Sequence, residues 1–169
     1  MQPVPENTGP NMAFEIGLAM SPEEREAVFA LRMAVFVAEQ AVPAEEELDT
    51  YDLFATHFLA RLLNPALRRE ERIIGTARLV DKGDGVGKVG RVAVRRDHRG
   101  KGVGVRLMRF IEETSRAQGF RRLVLDAQLY AIPFYEKLGY TAEGGVFLDA
   151  NIEHRFMVKD LLSPPSSSA

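Results

Sequence analysis

Hydrophobic residues recur along this chain with two different periods, and the alternation between them predicts its elements. Val28, Leu31 and Val35 fall on one helical stripe, with Phe29 and Phe36 beside it. Ser21-Pro22-Glu23-Glu24 precedes that run and reads as a helix start. The serine hydroxyl can accept from a first-turn N–H, proline has no N–H to lose at the first helical position, and Glu24 can close a capping box. A second helix is predicted over about 102–118, where Val103, Leu107, Phe110, Ile111 and Thr114 recur at helical spacing. Arg106, Arg109, Glu112, Glu113 and Arg116 are expected to face outward from it, and Gly119 to stop it. Strand-like runs occur at 14–18, 56–63, 73–80, 89–95, 122–127, 140–148 and 154–160, with Asn64-Pro65 and Gly83-Asp84-Gly85 as breakers. A short helix is predicted over 131–138, and 45–52 reads as an acidic loop. Strands interleaved with helices predict an α/β or α+β domain built on a mixed sheet.

The ends differ from the middle. Residues 1–11 are rich in Pro, Asn and Gly, and 163–169 read Ser-Pro-Pro-Ser-Ser-Ser-Ala. Neither carries enough apolar surface to offset its ordering entropy, so both are expected to be flexible around one folded unit at 12–162. The formal net charge of −2 argues against a non-specific nucleic-acid binder, which relies on many uncompensated contacts to phosphate. The chain has no cysteine, which excludes disulfides, Cys-ligated metals and a thiolate nucleophile. The three histidines show no metal-ligand spacing, so no metal is expected. No apolar run approaches the roughly 20 residues needed to cross a bilayer. The N-terminus has no apolar signal-peptide core, so a cytoplasmic protein without membrane association is expected.

Two glycine-rich stretches invite a nucleotide reading. Gly85-Val86-Gly87-Lys88-Val89-Gly90 matches G-x-G-x-x-G by letter, but a strand follows it where a dinucleotide fingerprint needs a helix. It is read as a turn. At Arg99-Gly100-Lys101-Gly102-Val103-Gly104 the context is right, because strand 92–94 precedes the loop and the amphipathic helix follows it. Such a loop leaves backbone N–H groups free and lets an anion approach without a Cβ in the way, and the helix dipole adds to this. The charge agrees: between Lys88 and Arg109 eight cations stand against Asp97 alone, a net of +7.

The loop Arg99–Gly104 resembles the [Q/R]-x-x-G-x-[G/A] loop of the Gcn5-related N-acetyltransferases (GNAT). Ala131-Ile132-Pro133-Phe134-Tyr135-Glu136-Lys137-Leu138-Gly139-Tyr140 is similar to that family's second hallmark, a short helix ending in F-Y-x-x-x-G-[F/Y]. One helix and one strand join the two motifs, in the family's order, and the resemblance covers about residues 14–160. Upstream, Arg32, Val35, Phe36, Glu39, Gln40, Glu47, Asp49, Asp52 and His57 resemble the ElaA-type branch. So do Asp126-Ala127-Gln128 and Ile152-Glu153-His154-Arg155-Phe156-Met157. A cysteine often follows Glu-Gln in that branch, and Ala41 stands there here. Acyl-homoserine-lactone synthases share the Arg…Val-Phe…Glu-x-Asp-x-x-Asp pattern, but this chain lacks the tryptophan usually found between those elements.

The resemblance implies a mostly antiparallel mixed sheet of six to seven strands flanked by helices, the GNAT acyl-CoA acyltransferase fold. It implies acetyl-CoA as co-substrate and transfer of its acetyl group to a small-molecule or peptide amine. Arg99, Gly100, Lys101, Gly102, Val103 and Gly104 would hold the pyrophosphate. Val92, Ala93 and Val94 would pair with the pantetheine arm and direct an N–H at the thioester oxygen, in a slot splayed from strand 122–127. Tyr135 would protonate the departing thiolate. Glu47, Asp49, Asp52, Asp126, His57 and His154 remain open as the base, as does a water chain, while His98 is read as a surface residue. The carboxylates of 45–52 are expected to attract a cationic acceptor. Without a cysteine, direct attack in a ternary complex is the simplest route. The alternatives are an acyl-CoA sensor that has lost turnover and a lactone-synthase-like acyltransferase. The closing strands are expected to be available for a homodimer.

Overall fold

The computed structural model describes residues 13–161. The flexible ends expected at 1–11 and 163–169 lie outside the described residues. Seven strands form one sheet in the order β1-β2-β3-β4-β5-β7-β6. They are β1 (Phe14–Leu18), β2 (Thr56–Leu62), β3 (Ile73–Asp81), β4 (Val86–Val94), β5 (Arg122–Gln128), β6 (Thr141–Asp149) and β7 (Ile152–Asp160). Every neighbouring pair is antiparallel except β4 and β5. The architecture is the mixed sheet flanked by helices that the alternating periods predict.

Helix α1 (Pro22–Arg32) begins as its capping box requires: the Ser21 hydroxyl accepts from Glu24 N at 3.1 Å, and the Glu24 carboxylate accepts from Ser21 N at 3.1 Å. The apolar stripe runs on through Val35, but the backbone changes at Met33 into a π-helical segment, Met33–Glu39. Two short helices, α2 (Ala44–Glu47) and α3 (Arg69–Arg72), precede β2 and β3, and a 3-10 turn spans Thr50–Leu53. The long helix α4 (Val103–Ala117) and the short α5 (Ile132–Lys137) complete the set.

The central strands are covered on both faces, which is why β3 is buried almost throughout. Strand alternation sends Phe58, Ala60, Leu62 and Ile74 into a core shared with Val103, Leu107 and Ile111 of α4. Leu59, Ile73 and Ala93 face the other way, against Val28, Leu31 and Val35. The glycine match at 85–90 is no nucleotide site: Gly87 and Gly90 lie inside β4.

Three expectations are corrected here. Glu112 does not face solvent from α4; it is buried and accepts Lys159 Nζ at 2.7 Å and Arg116 Nη2 at 2.9 Å. An ion-paired carboxylate can occupy a helix flank that the apolar stripe alone marks as polar. His98 is also buried, with Nδ1 2.9 Å from Asp97 Oδ1. The segment 45–52 is not a simple acidic loop: it carries the end of α2 and the start of the 3-10 turn, and arginines bind Glu47, Asp49 and Asp52.

Candidate active site

Among the described residues, the sheet opens at its one parallel junction. β4 and β5 pair at Val86↔Arg122, Gly87↔Leu123 and Lys88↔Val124, and then separate. Past that point β4 stays with β3 and β5 stays with β7. Between the diverging strands lies a cavity of about 550 Å³. Gly90, Arg91 and Val92 line it from β4, and Leu125, Asp126 and Gln128 from β5. Tyr135 of α5 and His154 of β7 complete the wall on the far side.

A β-bulge shapes the β4 wall. The β3–β4 register slips between Thr76 and Arg78, and Arg91 takes a left-handed φ of +52°. The Arg91 guanidinium meets the 45–52 segment, which lines the same cavity. Its Nη2 donates to Glu47 O at 3.1 Å and to Asp49 Oδ2 at 3.3 Å. Burial pushes the Arg91 pKa down from its usual value, against the pull of the Glu47 charge.

Together with Arg91, five other side chains, Arg32, Glu47, Asp49, Asp52 and Arg78, form one network of opposed charges. Arg32 Nε donates to Glu47 Oε1 at 2.8 Å and Arg32 Nη1 to Asp52 Oδ1 at 2.7 Å, with Arg32 and Glu47 almost wholly buried. Arg78 Nη1 donates to Asp49 Oδ1 at 2.7 Å and to Asp52 Oδ1 at 2.9 Å. Burial alone would raise the Asp52 carboxyl; the Arg32 hydrogen bond and charge, the Asp49 N–H and Arg78 outweigh it and hold the group at about 2. Hydrogen bonds from Arg78 lower Asp49 in the same sense. The expected field of free carboxylates is therefore reduced to Glu45 and Glu46, because Glu47, Asp49 and Asp52 spend their charge on Arg32, Arg78 and Arg91.

The basic stretch 88–109 is also partly spent. Lys88 pairs with Asp126 at 2.9 Å, Arg95 with Asp97 at 2.8 Å and Arg99 with Glu39 at 2.9 Å. Among the described residues, Arg96, Lys101, Arg106 and Arg109 keep no carboxylate partner. Of the expected coenzyme residues, Val92 lines the cavity, whereas Ala93 is buried against α1 and Val94 is half-buried beside α4. Residues Arg99 to Gly104 lie outside the cavity wall, at the start of α4. Gly100 and Gly102 have φ of +75° and +83°, and a Cβ on either would meet nothing within 4 Å. Gly102 is the N-cap of α4, and no side chain caps that end. Free N–H groups, an open approach and a fifteen-residue helix behind them fit a pyrophosphate.

Tyr135 is buried between Phe134 and Tyr140, with ring centroids at 5.0 and 5.9 Å. Burial, with a smaller contribution from Tyr130, pushes its phenol above the ordinary value, so the hydroxyl keeps its proton at neutral pH. Its neighbour Phe134 turns instead to Gly104, where a Cβ would stand 3.2 Å from the Phe134 ring. Adjacent aromatics thus divide between the α4 loop and the cavity.

The six candidate bases separate on geometry. Glu47, Asp49 and Asp52 are held by arginines, and Asp126 by Lys88. His57 Nε2 faces Asp52 O at 3.0 Å, its Nδ1 is buried without a partner among the described residues, and burial lowers its pKa. His154 alone of the six lines the cavity without a charged partner. A link between Gln40, at the end of the π-helical segment, and Gln128 was not anticipated as part of the site: Gln128 Nε2 donates to Gln40 Oε1 at 2.9 Å. π-Helical turns often accompany functional sites, but nothing in the residue pattern of 33–39 announces one. No group of three His, Asp or Glu among the described residues is placed to hold a metal.

The model of the acetyltransferase (GNAT) family matches residues 25–140. The chain belongs to the GNAT acetyltransferase family. Members of this family use acyl-CoA donors. A Bacillus subtilis (strain 168) relative named "Uncharacterized N-acetyltransferase YjcF" is 38% identical over 144 residues, covering 85% of this chain and 97% of its own. The crystal structure of Escherichia coli ElaA matches with a TM-score of 0.74 at 26% identity, over 87% of this chain and 99% of that one. An acyl-CoA N-acyltransferase from Pseudomonas aeruginosa matches with a TM-score of 0.71 at 28% identity, over 87% and 98%. The resemblance to the GNAT family and its ElaA-like branch, drawn from motifs at 32–57, 99–104 and 131–140, is thereby borne out. No helix among the described residues is long and apolar enough to cross a membrane.

Proposed function

We propose that this GNAT protein is an acetyl-CoA-dependent N-acetyltransferase that moves the acetyl group to an amine by direct attack in a ternary complex. The observation that carries the reading is the splayed β4–β5 junction, which has an uncapped glycine-rich helix start at its outer end and Tyr135 inside its cavity. The N–H groups at Gly100–Gly104 would take the pyrophosphate. Arg99 Nε donates to Val94 O at 2.9 Å, which ties the loop to the end of β4. Val92 lines the cavity, and its backbone polar groups would serve an extended pantetheine arm and the thioester oxygen.

Chemistry requires one new N–C bond, one broken C–S bond and a proton for the sulphur. Tyr135 holds a proton at neutral pH and faces the cavity, which suits the last requirement. The acceptor enters from the side of Glu45 and Glu46. Calorimetric titration with acetyl-CoA, followed by CoA release over a panel of primary amines, tests the proposal. Because the chain has no cysteine, a thiol reagent reads only CoA. Binding with release on at least one amine is expected. Binding without release on any amine would instead support the sensor reading, and no binding would overturn both.

A further inference from the structure

We infer that His154 is the general base of this site, acting through Nε2. The inference rests on the acetyltransferase reading and assigns its missing proton acceptor. His154 Nδ1 lies 2.7 Å from Ile152 O. A carbonyl oxygen only accepts, so Nδ1 carries the hydrogen and donates it. In the neutral ring the lone pair is then on Nε2. The ring is also held in orientation. It stacks on Phe147 at 5.9 Å with an interplanar angle of 20°, and Phe147 is its register partner on β6. Its register partner on β5 is Gln128, which lines the same cavity and is tied to Gln40. Cross-strand partners share a face of the sheet, so Phe147, His154 and Gln128 form one row. Nε2 is neither hydrogen-bonded nor sealed off among the described residues.

The charged surroundings leave this lone pair available. On the cavity side, β6 contributes Asp149, β5 contributes Asp126 with its charge met by Lys88 of β4, and α2 contributes Glu45 and Glu46, while Arg78 of β3, Lys82 just after it and Arg91 of β4 line the same cavity. On β7 itself, Glu153 and Arg155 flank the histidine on the opposite strand face, and Arg155 donates to Gly144 O. No cation is in ion-pair contact with the ring.

The step balances as follows. An acceptor ammonium gives one proton to His154 Nε2, and the neutral amine attacks the thioester carbon. The N–C bond forms, the C–S bond breaks, and the sulphur leaves with its electron pair. Tyr135 protonates the thiolate and recovers a proton from the acylated nitrogen. Amide, CoA thiol and an imidazolium remain, and the imidazolium returns its proton to solvent.

His154→Asn tests the assignment, because its amide N–H can still donate to Ile152 O but offers no base. With the best amine of the panel as probe, kcat is expected to fall about 100-fold. The limb of the pH–rate profile that reports the base should vanish. The Kd for acetyl-CoA and the Tm should stay near those of the wild type, which separates lost chemistry from lost folding. His154→Ala should regain part of its rate on adding imidazole. Wild-type turnover and an unchanged pH profile in His154→Asn would overturn the assignment while leaving the acetyltransferase reading intact. A wild-type protein that binds acetyl-CoA but releases no CoA with any amine would overturn both.

Discussion

Arg32 and Glu47 lie fifteen residues apart in the chain and meet at 2.8 Å with almost no exposure of either side chain. Through them the last residue of α1 holds the acidic segment against the sheet. The same segment meets Arg91 on the bulge of β4, so one wall of the cavity is clamped from both sides. Burying these charges is costly, and the network survives because nearly every polar atom finds a partner.

Glu47→Gln should therefore lower stability by about 3 kcal/mol, since it leaves the buried Arg32 cation undercompensated. Urea unfolding at neutral pH measures it. A change under about 0.5 kcal/mol would show that Asp52 alone satisfies Arg32.

Asp52 makes stability depend on pH. Its folded-state pKa of about 2 lies below the ordinary 3.8, so ionised Asp52 stabilises the fold above about pH 4. That contribution, on the order of 2 kcal/mol, is lost as pH falls from about 4 through about 2. Asp52→Asn should be less stable than the wild type at pH 7, and the gap should close towards pH 2. Thermal melts across that range would show a constant gap if the carboxylate were not linked to folding.

Tyr135→Phe should lower kcat about 100-fold and leave the Kd for acetyl-CoA within two-fold of wild type. Phenylalanine keeps the ring contacts to Phe134 and Tyr140 and removes only the hydroxyl that carries the proton. Steady-state rates and calorimetry together check the split. Unchanged turnover would remove Tyr135 from the chemistry.

Gly102→Ala should weaken acetyl-CoA binding about ten-fold. The new Cβ meets no protein atom, so packing is not the obstacle. It projects beside the N–H groups expected to hold pyrophosphate, and a φ of +83° adds about 1–2 kcal/mol of backbone strain. Calorimetry reads the affinity, and a melt reads the strain separately. Wild-type affinity would place the pyrophosphate elsewhere.

Initial rates with both substrates varied should give intersecting lines, because no cysteine is present to carry an acyl group between half-reactions. Parallel lines would show a covalent intermediate on another side chain.

Most of the local structure could be read directly from the residues. Ser21, Pro22 and Glu24 mark the start of α1, since a capping box is made by atoms within one turn. The stripe through Val103, Leu107 and Ile111 marks α4, and the two GNAT motifs lie on the elements expected of them. Glu112 shows the limit of such reading. It occupies a polar position of the helix, yet Lys159 reaches it from a strand 47 residues away.

The site divides in the same way. The sequence alone determined the glycine loop before a helix, the tyrosine on the short α5 and the absence of any thiol, because each depends on neighbours within a few residues. Only the tertiary structure decided which charges remain free and which histidine has a usable lone pair. Carboxylates at 47–52 look available until Arg32, Arg78 and Arg91 arrive from three other elements. His154 differs from His57 only in what surrounds it: His57 is enclosed against Phe29 and Asp52 O, and His154 opens onto the slot where β4 leaves β5. Charge and burial are set by contacts between distant segments, and a linear pattern of residue types does not contain those distances.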